Sequence, residues 1–124
     1  MSKYKHFGDN DQLACSCCGV DGLDAEFMAK LDQLREDVGF AMPVNSGYRC
    51  PAHNHKVSGT GFTGPHTTGK AVDIGIGRVR ATKLVKAALN AGFLGVGVKQ
   101  HGPDGGRIVH LDMVDRPDQI MWTY

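Results

Sequence analysis

The stretch Pro65-His66-Thr67-Thr68-Gly69-Lys70-Ala71-Val72-Asp73-Ile74-Gly75-Ile76 decides how this chain is read. Its second half predicts a strand over 71–76. Val72, Ile74 and Ile76 point one way and Asp73 the other, because successive strand side chains alternate faces. Its first half is a small-residue turn headed by His66. Such a turn folds the loop back over the strand face, so His66 and Asp73 can converge on one point. A second strand is predicted over 107–113. There Val109, Leu111 and Met113 share one face, and Ile108, His110 and Asp112 share the other. Each strand therefore offers a ligand-competent side chain on its non-core face. Two imidazoles and a carboxylate suit a catalytic zinc, with the fourth position left to water. The pattern alone also fits a plain loop histidine, a strand histidine with a satisfied hydrogen bond, and a sheet-edge acid.

Outward from these strands the chain reads as follows. Asp24 is a suitable N-cap. Phe27, Leu31, Leu34 and Val38 then recur at helical spacing until Gly39 stops the run. A second helix is predicted over 81–91, apolar at Leu84, Val85, Ala88 and Leu89, with Gly92 as its stop. Residues 94–98 form a short, Gly-interrupted strand, and Pro103-Asp104-Gly105-Gly106 a turn. Residues 43–46 read as a short extended piece. Residues 50–70 are rich in Pro, Gly, Ser, Thr, Asn and His and read as a loop, of a length uncommon in a compact domain unless functional. The order helix, loop, strand, helix, strand, strand predicts an α+β fold with a small, mostly antiparallel sheet and flanking helices.

The 124 residues read as one domain, 1–124, with an irregular lead-in over 1–20. No apolar run approaches the ~20 residues that span a bilayer, and Met1–His6 lacks the apolar stretch of a secretory signal. Cytoplasmic synthesis with no membrane partner is the expectation. Fourteen basic side chains against 13 acidic ones give a net charge of +1, which disfavours a nucleic-acid partner. A monomer is expected. Cys15, Cys17 and Cys18 cluster, and Cys50 stands apart, with His53 and His55 near it. Reduced thiols, a disulfide pairing and a second metal site are all open readings.

Three ordered motifs then carry a resemblance: Ser46-Gly47-Tyr48-Arg49-Cys50-Pro51-Ala52-His53-Asn54, Pro65 through Ile74, and Ile108-Val109-His110-Leu111-Asp112. Together they resemble the zinc D-Ala-D-Ala carboxypeptidase family of peptidoglycan peptidases, in its small bacterial and phage branch, over about residues 11–122. The resemblance implies a hedgehog/D-Ala-D-Ala peptidase-like fold, with zinc held by His66, Asp73 and His110. It implies that Arg49 engages the substrate carboxylate or carbonyl, with Ser46 supporting the substrate-binding loop. It further implies hydrolysis of an amide in a D-Ala-containing stem or cross-link, acting at the wall after release or as a phage endolysin or virion component. Two departures stand out. Some relatives carry Glu three residues before the last histidine ligand, where this chain has Arg107. Gly64 replaces the usual Ser two residues before His66. Asp112 is the best replacement base, and its other reading is an acid that orients a ligand imidazole. His101 and Asp104 are second-line candidates. A catalytically silent zinc module and a structural virion protein are the alternatives to a peptidase.

Overall fold

The computed structural model describes residues 5–7, 13–19 and 21–124. Part of the irregular lead-in expected over 1–20 therefore lies outside the described residues. Helix α1 spans Ala25–Val38 as its spacing predicts. The Asp24 carboxylate accepts from the Phe27 N–H at 2.9 Å. Gly39, at φ 74°, ends the helix with its N–H bonded to the Arg35 carbonyl. Strands β1 (Val44–Ser46), β2 (Ala71–Gly75), β3 (Gly95–Lys99), β4 (Ile108–Asp112) and β5 (Ile120–Thr123) form one sheet in the order β1-β2-β4-β3-β5. All neighbours are antiparallel except β3 and β5. The α+β architecture expected from the pattern is the one observed.

Helices α1 and α3 (Arg78–Asn90) pack against each other and cover one face of the sheet. Phe27, Met28, Leu31 and Leu34 from α1 and Leu84 and Ala88 from α3 meet Val72, Ile74, Val96, Val109 and Leu111 in one apolar core. Burying a residue of this size contributes about 1.5–3 kcal/mol, so this face sets the register of the strands. In that register Val72 pairs with Leu111 and Ile74 with Val109. The intervening pair, Asp73 opposite His110, is then turned to the other face.

Three elements differ from the expectation. Helix α3 begins at Arg78 rather than 81, with no side-chain cap at Gly77. The Gln100 side chain supplies the missing acceptor, taking the Arg78 N–H at 3.0 Å. The expected loop over 50–70 contains helix α2 (Pro51–Val57) and a 3-10 turn at Pro65–Thr68. Helix α2 buries only Asn54, so no apolar stripe announces it. Strand β5 was not expected, because Ile120, Met121 and Thr123 are all exposed.

Two β3 glycines clear the face away from the helices. A Cβ at Gly95 would lie 2.4 Å from the Asp112 carboxylate, and one at Gly97 would lie 2.7 Å from the Trp122 indole nitrogen. Gly69 joins the 3-10 turn to β2 at φ +76°, where a Cβ would lie 2.0 Å from the Gly22 carbonyl oxygen. Its own carbonyl accepts the Asp24 N–H at 2.7 Å. Gly69→Ala is therefore expected to cost about 1–3 kcal/mol, read as a lower Tm with weakened zinc loading because His66 sits on this turn. An unchanged Tm would show that the connection can shift freely.

Candidate metal centre

Three elements deliver the three expected ligands to one point. The 3-10 turn carries His66, β2 carries Asp73 and β4 carries His110. Asp73 Oδ1 lies 3.3 Å from His66 Nε2 and 2.9 Å from His110 Nδ1. Donors around a tetrahedral zinc at ~2.0–2.1 Å stand about 3.3 Å apart, so these spacings fit the ion. The far nitrogen of each ring is committed elsewhere. His66 Nδ1 donates to the Gly47 carbonyl at 2.7 Å, and His110 Nε2 donates to Asp112 Oδ2 at 2.7 Å. Those partners fix the tautomers that turn His66 Nε2 and His110 Nδ1 toward Asp73, as ligand imidazoles require. Both rings are buried, at 5% and 3% exposure. The donor set, its spacing and its supporting bonds all suit zinc.

The electrostatics follow from this packing. Burial alone would raise the Asp73 carboxyl, but hydrogen bonds from His110 and His66 outweigh it and hold Asp73 well below the usual carboxylate range. Burial alone would lower His110, but Asp112 and Asp73 on its two sides raise it. Burial likewise acts against Asp112, and His110 and Arg116 bring it down. The centre is thus two carboxylates threaded through one imidazole.

Arg49 approaches from the segment before α2. Its Nη2 lies 3.7 Å from Asp73 Oδ2. Its Nη1 donates at 3.2 Å to Asn54, which is itself 1% exposed. Asn54 is in turn held by donating to Thr60 Oγ1 and the Gly61 carbonyl. The Arg49 N–H bonds to the His66 carbonyl at 3.1 Å, which ties the arginine loop to the ligand turn. A cavity of about 360 Å³ opens here, with Arg49, His66, Asp73, His110, Trp122 and Tyr124 in its lining.

Other expected site residues lie elsewhere. Ser46 pairs with Asp73 across β1 and β2; it does not line this cavity but a smaller cleft shared with Arg49, Ser16 and His53. Asp112 shares the face of His110, but it is fully buried behind that ring. Arg116 binds both of its carboxylate oxygens, and it does not line the cavity. This placement favours the other reading of Asp112, an acid that orients the His110 imidazole. Arg107 is turned away too, donating to the Gly102 carbonyl at 3.1 Å. Asp104 is exposed and paired with Arg78 and Arg107, and His101 is exposed. Neither lines the cavity.

The residues not assigned from the sequence are Arg116, Trp122 and Tyr124. The Trp122 ring lies over His110 with centroids 5.2 Å apart, and the Arg116 guanidinium sits 5.5 Å from the Trp122 ring. Gly95 and Gly97 were the available signal, since glycine inside a strand often marks close approach of another group.

No curated protein matches the chain. A family profile described as Peptidase M15 does match it, over residues 5–112. That stretch holds Arg49 and all three residues of the centre, and it covers most of the sequence; the chain belongs to the M15 family of zinc peptidases.

Proposed function

We propose that this chain hydrolyses an amide bond in a bacterial peptidoglycan peptide, in a stem or cross-link containing D-Ala. The observation that carries the reading is the convergence of His66 Nε2, Asp73 Oδ1 and His110 Nδ1 beside Arg49 on one cavity. Zinc held by those three side chains would supply a Lewis acid and a water of pKa ~7. Arg49 offers a planar fork of donors, pre-set by Asn54, to a substrate carboxylate or to the oxygen on which charge develops. Tyr124 also lines this cavity, and its phenol, which ordinarily titrates far above neutral pH, offers a hydroxyl donor there. Asp112 takes the His110 Nε2 proton in a hydrogen bond and positions the ring. A setting in phage lysis or wall trimming rests on family kinship alone.

A second reading has one observation in its favour. Among the described residues, Asp73 is the only carboxylate that lines the cavity, and it is committed to two imidazoles. A module that binds the peptide without cutting it would look the same.

Digestion of purified muropeptides separates the two. Zinc-loaded protein is expected to release D-Ala from stem peptides or to split cross-linked dimers. Arg49→Lys is expected to reduce that rate by about 10²–10³-fold with zinc content unchanged, since an ammonium cannot reproduce the fork. Stoichiometric zinc with binding but no product would establish the non-cutting module instead.

A further inference from the structure

Four cysteines form a second cluster, and none of them lines the cavity. The Sγ atoms of Cys15, Cys17, Cys18 and Cys50 all lie within 4.8 Å of one another. Cys17 Sγ is 3.5 Å from Cys15 Sγ and 3.3 Å from Cys50 Sγ, and no disulfide joins any of the four. We infer that these four sulfurs are a structural site for one zinc ion, separate from the histidine centre.

The local backbone is shaped for this. Cys15 and Cys18 have the two-residue separation found in zinc ligand pairs, and Cys17 falls between them on the same turn. That turn is closed by the Gly19 N–H bonding to the Cys15 carbonyl at 2.7 Å, with Gly19 at φ 72°. Around a tetrahedral ion with Zn–S ~2.3 Å the sulfurs stand about 3.8 Å apart, so the observed spacings need only a small expansion. The sulfurs also receive backbone donors of the kind that support thiolate ligands. The Cys50 N–H donates to Cys15 Sγ at 3.3 Å, and the His53 N–H to Cys50 Sγ at 3.4 Å. Four converging sulfurs select a soft tetrahedral cation.

The position gives the ion a purpose. Cys50 follows Arg49 directly and caps α2, the helix that carries Asn54. The Tyr48 N–H bonds to the Leu13 carbonyl at 2.9 Å. Crosslinking 15–18 to residue 50 therefore clamps the N-terminal segment onto the loop that presents Arg49. The sheet cannot do this, because β1 ends at Ser46.

The test is elemental analysis of protein purified without chelator. Wild type is expected to carry about two zinc ions per chain, of which an organomercurial that titrates thiolates releases about one. The His66→Ala/His110→Ala variant should keep the mercurial-sensitive ion. Cobalt loaded into that variant should show intense sulfur-to-cobalt charge-transfer absorption, which histidine and carboxylate ligands do not give. Loss of the histidine centre alone would remove only the mercurial-resistant zinc, so failure of that centre is distinguishable. Should the variant not fold, mercurial release from wild type decides alone. No mercurial-sensitive zinc in wild type overturns the inference. So does iron in place of zinc, or a Cys17–Cys50 disulfide found by mass spectrometry of alkylated peptides.

Discussion

The substitution Asp73→Asn is expected to empty the histidine centre and remove hydrolysis, by at least about 100-fold at saturating peptide. Asp73 is the only anionic ligand in the set. Its Oδ1 serves both histidine nitrogens, at 3.3 Å and 2.9 Å, and its Oδ2 faces Arg49 at 3.7 Å. An amide of the same shape leaves two neutral imidazoles and a guanidinium around a dication, so the charge balance turns repulsive. The variant should still fold, since the core face of β2 is untouched, with a cost of about 1–3 kcal/mol in metal-free protein at neutral pH. The sign follows from the depressed Asp73 carboxyl. Its contribution is present above the usual value of ~4 and is lost as pH falls through the depressed one. The difference in Tm between wild type and variant should therefore shrink in acid. Zinc that resists mercurial is the direct readout. If that zinc persists in the variant along with hydrolysis, the centre is not where the reaction occurs.

Much of this site is legible in the sequence, because it rests on alternation. Once Val72, Ile74, Val109 and Leu111 are assigned to the core, Asp73 and His110 must share the opposite face, and the register that pairs the apolar residues brings them abreast. Helix α1 was legible for the same reason, with a cap at each end of a clean apolar stripe. What alternation cannot supply is depth. Asp112 is two residues from His110 and on its face, but whether its carboxylate meets water depends on what lies over it. The cover is Arg116, from the irregular segment after β4, seated where Gly95 leaves no side chain. Helix α2 was hidden because it buries an asparagine instead of an apolar stripe. That asparagine holds Arg49, so the element least visible in the pattern serves the site most directly. Strand β5 was hidden because its exposed residues carry no period, although it brings Trp122 over His110. The cysteines show the same limit. Spacing left three readings open, and only the fold carries residue 50 back to residues 15–18.

Asp112→Asn is expected to lower stability by about 3 kcal/mol and zinc affinity at the histidine centre by about 10–100-fold. The stability loss comes from Arg116. Its guanidinium now binds both oxygens of a carboxylate that is 0% exposed. An amide there can accept the His110 Nε2 proton only by turning its own NH₂ toward Arg116, donor against donor. The affinity loss comes from His110, whose ring orientation and tautomer depend on that one acceptor at 2.7 Å. Two further readouts separate positioning from proton transfer. If Asp112 holds the ring, excess zinc restores most of the activity, and Arg116→Ala shifts zinc affinity in the same direction by a smaller factor. If Asp112 takes a proton from the attacking water, activity stays low with the centre full of zinc and Arg116→Ala leaves zinc affinity alone. Linkage supplies a third check on metal-free protein. His110 is raised, so its contribution is complete below ~6.5 and is lost as pH rises through the raised value. Asp112 is depressed, so its contribution is present above ~4 and is lost as pH falls. The metal-free chain should accordingly be most stable between those limits, and Asp112→Asn should flatten that maximum. Zinc requires the unprotonated imidazole. The same raised His110 that stabilises the metal-free fold in mild acid must therefore weaken zinc binding there, and a loading curve against pH should fall where the metal-free stability rises.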